Sequence, residues 1–358
     1  MERNNRLESL DALRGFDMLF ITGLASLIVA VCNALGSGDC WLATQMTHVD
    51  WNGFRHHDTI FPLFLFIAGV SFPYSVEHHR GHIYRKIFSR TLILILLGLI
   101  CNGLLQFDFA HLRFYSVLGR IGLAWMGAAL LYVNFSRKTR IWIAATLLVA
   151  YWVVLMVWGL FNGGLDPLSY EGNLVGYIDR KLFPGHLYRA TFDPEGLLST
   201  IPAVVTAMLG NFTGEFVKNS KKSGNSKTIG MLLAALALLG AGLLWSIWFP
   251  VNKKLWSSSF VLVVGAFSLA SFALFYWIID VKKWRKWAFP LKVVGMNSIA
   301  IFMLPRIISI KYASDFLFGG FISLFRENWQ PVAYWAIHLL IAWLLLYFLY
   351  RKKIFLKV

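Results

Sequence analysis

Ten mostly apolar runs divide the chain: Phe16–Leu35, Ile60–Val76, Thr91–Phe107, Tyr115–Phe135, Ile141–Phe161, Leu197–Val217, Ile229–Phe249, Phe260–Ile279, Ala288–Ile308 and Pro331–Tyr350. A bilayer core takes about 20 apolar residues per helix. Lipid offers backbone groups no partner, so each run is predicted to be an α-helix. The expected fold is therefore all-α: a polytopic membrane bundle of about ten helices, one domain over residues 1–358. The first run is too long for the apolar centre of a signal peptide and is taken as a retained span.

The polar gaps alternate in charge. On one side lie Arg3, Arg6 and Arg14, then Arg80, Arg85, Lys86 and Arg90, then Arg137, Lys138 and Arg140. The same side takes Lys218, Lys221, Lys222 and Lys227, then Lys282, Lys283, Arg285 and Lys286, and finally Arg351, Lys352, Lys353 and Lys357. Cations mark the cytoplasmic face, so both termini are expected there. Two outer loops, 36–59 and 162–196, are long enough to cap the helices. Composition agrees: 58% of residues are hydrophobic and 15% charged, against about 25% charged in soluble domains. The net charge of +16 sits in short clusters between apolar runs. That pattern sets membrane orientation and excludes a nucleic-acid surface. Cys32, Cys40 and Cys101 lack metal-type spacing and read as free thiols, Cys40 having no obvious partner.

Polar groups concentrate on the outer side. Residues 47–62 read T-H-V-D-W-N-G-F-R-H-H-D-T-I-F-P. Asn102, Asp108, His111 and Arg113 follow, then Asp193, Pro194, Glu195 and Gly196. The topology allows these to converge on one site. His48, His56, His57 and Asp58 do not have zinc spacing, so no metal is expected, and Arg55 and His57 read as solvated. A second set of polar groups lies within the helices, Asp17, Arg120, Lys292 and Asn297, with Asp11 and Arg14 at the cytoplasmic entry of the first. Such residues are structural ion pairs or a site for an anion such as phosphate.

Several of these residues resemble a known pattern. Arg6-Leu-Glu-Ser-Leu-Asp11-Ala-Leu-Arg14-Gly15 is similar to the opening R-L-x-S-x-D-x-x-R-G of the transmembrane acyltransferase family of heparan-alpha-glucosaminide N-acetyltransferase. His48-Val-Asp-Trp51-Asn52-Gly53 with Asp58-Thr-Ile-Phe61-Pro62 resembles its H-x-x-W-N-G-x-x-x-x-D-x-x-F-P. Gly119-Arg120-Ile121, Asp193-Pro194-Glu195-Gly196 and Gly295-Met296-Asn297-Ser298 resemble three further elements, in the family's order. One departure stands out: the family's Asn about ten residues after R-G is missing from Phe16–Ala25, which puts the acceptor, and even the reaction, in question.

The resemblance implies acetyl transfer from cytosolic acetyl-CoA, the co-substrate, to an amino sugar or related glycan outside. His48 would be catalytic, with Asp58 orienting it and Asn52 or Asn297 donating to the oxyanion. As an imidazole, His48 suits a general base; it is equally suited to carry the acetyl group covalently. Asp193, Glu195, Trp51 and Asn297 would bind the acceptor. Arg14, Arg120 and Asp11 would serve the cofactor, the arginines on its phosphates. The expected location is a bacterial inner membrane, where a homodimer would be unremarkable. Competing readings are a solute transporter, a different acceptor, or a homologue without activity.

Overall fold

The computed structural model describes residues 7–76, 81–307 and 310–356. Arg3, Arg6, Arg80 and Lys357 of the cationic clusters, and the predicted end at Ile308, lie outside the described residues. Each predicted run coincides with helix, and the described residues hold no strand. Among the described residues seven helices are long and apolar enough to cross a membrane, or eight if one bent pair counts as a span. The expected ten is thus a count of helical segments. Two segments fall short for local reasons. α4 (Ile60–Val76) has only 17 residues. α5 (Ile83–Cys101) starts eight residues before its predicted run and so takes in Arg85, Lys86 and Arg90.

The chain forms two compact units. The first holds residues up to 49, 55–60 and 271–357. In it α1 (Glu8–Leu19) passes through a π-helical turn, Phe20–Leu24, into α2 (Ala25–Ala34). Gly23 in that turn has φ 145°, a conformation L side chains avoid; a Cβ there would also press on the Trp335 ring at 3.0 Å. The short α3 (Trp41–Gln45) is capped by Cys40, whose Sγ accepts from the Ala43 amide at 3.5 Å. Cys40 does have a neighbour: the turn Ser37 N to Cys32 O (2.8 Å) and Cys40 N to Ser37 O (3.0 Å) brings its thiol to that of Cys32.

The first unit's C-terminal part contains α12 (Phe289–Gly295), α13 (Ser298–Ile307), α14 (Ile310–Ile322) and α15 (Gln330–Arg351). The segments Lys286–Gly295 and Ser298–Arg306 meet at 55°. α1 and α12 touch backbone to backbone. A Cβ on Gly15 would overlap the Leu291 carbonyl, and one on Gly295 the Asp11 carbonyl. Two motif glycines, of R-G and G-M-N, are therefore accounted for by one helix crossing.

The second unit holds 50–54 and 61–270. Besides α4 and α5 it contains α6 (Val117–Asn134), α7 (Arg137–Trp158), α8 (Leu174–Leu182), α9 (Leu197–Asn219), α10 (Gly224–Trp245) and α11 (Ser258–Phe275), the last turns of α11 belonging to the first unit. α4 packs on the small residues of α9, where Cβ atoms at Gly210 and Gly214 would overlap the Phe66 and Val70 carbonyls. The long loop 162–196 is not irregular throughout, since α8 forms within it. Tyr151, Leu155, Val175, Phe249 and Leu255 make a buried cluster beneath that loop, with Trp51 packed against it.

Candidate active site

In the first unit, His48 Nδ1 lies 2.7 Å from Asp58 Oδ1. Asp58 is 2% exposed, while the His48 side chain is 55% exposed. The backbone explains how a carboxylate is tolerated there. Asp58 sits in the 3-10 turn His56–Asp58, and its Oδ2 accepts from the amides of Val49 (3.4 Å) and Arg55 (3.3 Å). Arg55 ties the other strand of the loop, donating to Thr47 Oγ1 at 2.7 Å and to the His48 carbonyl at 3.0 Å. The His57 ring stands 4.5 Å from the His48 ring. Arg55 and His57, expected to be solvated, are thus parts of the loop that holds His48. Burial lowers the His56 pKa below the usual imidazole value. Since a carboxylate only accepts, Nδ1 carries the proton in the neutral ring and Nε2 the lone pair.

The residues of the second unit behave differently from expectation. Asp193 is fully buried and takes four hydrogen bonds: Arg113 Nε (2.7 Å) and Nη2 (2.5 Å), Tyr188 N (3.0 Å) and Glu195 N (2.9 Å). Arg113 also pairs with Glu195. The Arg113 guanidinium loses by burial, but the two carboxylates outweigh that and raise its pKa. These acids fasten the loop, and the cation they hold in this structure is Arg113. Trp51, also expected on the acceptor, donates its indole N–H to the Leu168 carbonyl at 2.8 Å and packs on Tyr170 and Phe192. Asn52 is exposed, and its Oδ1 accepts from Asn252 Nδ2 at 3.0 Å.

Asp179 of α8 carries no sequence signal, and Arg113 only that of an outer-loop cation. Asp179 is wholly buried; burial pushes its carboxyl up to about 6, although the Asp193 amide donates to Oδ2 at 3.2 Å. Gly196 closes over it, since a Cβ there would overlap the carboxylate. Arg120, in the first turn of α6, is 2% exposed. It donates to the Gly196 carbonyl at 3.2 Å and to Ser199, and lies over the Trp256 ring at 4.8 Å. It therefore joins two motifs at the end of its helix that the charge pattern places outside. A role on CoA phosphates reached from the cytoplasm does not fit that position.

The remaining expected residues lie in the first unit. Arg14 meets Asp11 at 3.4 Å, one turn apart on α1. Glu8 pairs with Lys292 and Arg285, each at 3.1 Å. Asp17 is buried in α1. Asn297 fills the α12–α13 bend, where Nδ2 donates to the Ile354 carbonyl and Oδ1 accepts from the Leu356 amide, both at 3.0 Å. That amide anchors the C-terminal tail. His111 and Asp108 pair in solvent at 2.9 Å. Among the described residues no group of three His, Cys, Asp or Glu side chains is arranged to hold a metal ion.

No family model matches the chain. It is 28% identical to human heparan-alpha-glucosaminide N-acetyltransferase over 99% of its own length and 60% of that protein's. To the mouse protein of the same name it is 27% identical, over 99% of this chain and 61% of the other. The chain thus spans about three fifths of the length of these curated relatives. With its long apolar helices it is an integral, multi-pass membrane protein. Similarity along almost the whole chain agrees with the five motifs, and the chain is similar to the heparan-alpha-glucosaminide N-acetyltransferases.

Proposed function

We propose that the protein is a transmembrane acetyltransferase that moves an acetyl group from acetyl-CoA to the amine of an amino sugar on the outer side of the membrane. The observation that carries this reading is the His48–Asp58 pair, an accessible imidazole on a buried carboxylate at 2.7 Å. An ammonium is no nucleophile, so the acceptor reacts as the free amine, whose nitrogen attacks the thioester carbon and sheds one proton as it does so. His48 takes that proton on Nε2, and Asp58 stabilises the imidazolium. The new C–N bond forms, the C–S bond breaks, and the CoA thiolate leaves. Arg14 and Lys292, at the cytoplasmic end in the charge-derived topology, are the cations best suited to the phosphates.

The test is acetyl-CoA-dependent acetylation of glucosamine by the purified protein in detergent, followed by mass spectrometry, with His48→Ala as the blank. Product in the wild type and none in the variant supports the reading. Equal turnover in a folded His48→Ala protein removes His48, and no saturable acetyl-CoA binding removes the donor.

A further inference from the structure

The second unit contains a cavity lined by none of the residues assigned above to acetyl transfer. It has a volume of about 500 Å³ and lies among α9, α10 and α11, with Phe66 of α4 and Arg137 of α7 also on its wall. The lining from Leu209 to Phe216 and from Gly230 to Leu238 is apolar apart from Thr213. These residues lie in the second half of α9 and, up to Leu238, reach past the middle of α10. The positive-inside orientation puts most of them in the cytoplasmic leaflet, and puts Arg137, at the first position of α7, at headgroup depth. A cavity of this size matches a ligand-sized volume, and its chemistry is that of an acyl chain.

Charge at the mouth identifies the head of the occupant. Arg140, one turn along α7, is neutralised by Glu215 at 3.0 Å. Among the described residues no carboxylate pairs with Arg137. Ser136 caps α7, accepting from the Thr139 amide at 3.2 Å, so the helix start adds its own positive field beside Arg137 and Lys138. Basic pockets between spans on the cytoplasmic side suit anionic lipid headgroups. We propose that this cavity binds one anionic phospholipid of the inner leaflet, with an acyl chain among Leu209, Phe216, Ala234 and Ala237 and its phosphate on Arg137.

The experiment is native mass spectrometry of the full chain in mild detergent, with dioleoyl phosphatidylglycerol and dioleoyl phosphatidylcholine offered in equal amounts. The wild type should retain one phosphatidylglycerol with about tenfold preference, a difference of the size expected for one well-placed charge contact. Arg137→Gln should bring the two lipids to near parity while still binding either. Ala234→Trp and Ala237→Phe, each filling the cavity from the lipid-exposed helix α10, should lose the retained lipid at an unchanged melting temperature. Parity in the wild type overturns the proposal, as does retention of phosphatidylglycerol by both filled variants. Preferential retention of oleate over either phospholipid also overturns it, since the headgroup would then play no part.

Discussion

His48 and Asp193 both rest on opposite-type partners at the predicted outer face, yet they differ in what is left over. The His48 side chain is 55% exposed and leans on a buried carboxylate. Asp193 is wholly buried and receives four hydrogen bonds, two of them from one arginine. The first arrangement holds a ring in one orientation and leaves it reachable. The second uses every lone pair to hold a loop. Polar residue types in a membrane protein's outer loops thus divide by exposure and saturation, not by charge.

Replacing the central residue of each region separates them most sharply. His48→Ala should lower turnover by ~10²–10⁴-fold while leaving thermal stability almost unchanged, read by acetylation rate and melting temperature on the same sample. Arg113→Ala should do the reverse. It leaves Asp193 buried without its partner, a loss of about 3–5 kcal/mol, seen as a lowered melting temperature. A rise in KM alone, with stability intact, would return Asp193 and Glu195 to the acceptor.

Asp58→Asn keeps the shape but not the charge beneath the imidazolium. Turnover should fall on the order of 10²-fold, with the pH dependence of the rate displaced. In the other region Asp179 offers a pH test. Its folded pKa, about 6, exceeds the unfolded value of about 3.9. Its contribution is therefore complete below the unfolded value and is lost as pH rises through about 6. The difference approaches ~3 kcal/mol above that range. Asp179→Asn should raise the melting temperature at pH 8 and flatten its change between pH 4 and 8; an unchanged profile would contradict the buried carboxylate. The smallest effect belongs to Asn297→Ala. It should cost about 1–2 kcal/mol through the tail and leave turnover within a factor of about three, whereas loss of an oxyanion donor would cost ~10²-fold or more.

Much of this was legible from sequence, for identifiable reasons. Apolar runs report helices because lipid leaves the backbone no alternative, and all ten runs hold one. α14 was not foreseen: at 13 residues, with Lys311 and Asp315 inside, it is too short and too polar to show as a span. His48 and Asp58 were legible as a pair through the motif. The roles of Trp51, Asp193 and Asn297 were not, because a sequence gives the kind of polar group and not the backbone atoms that occupy it. Arg113 looked like an ordinary loop cation, since nothing in its neighbours announces two acids some 80 residues away.

The π-helical turn at Phe20–Leu24 bears on how this chain is aligned with its relatives. A π turn inserts one residue, and one residue turns a helix face by about 100°. Counting along the letters, the tenth residue after Gly15 is Ala25, where the related pattern carries Asn. The break also holds a non-helical residue, Gly23 at φ 145°, so residues beyond it do not face where an unbroken α-helix would point them, and a letter-by-letter count past Gly23 does not compare directions.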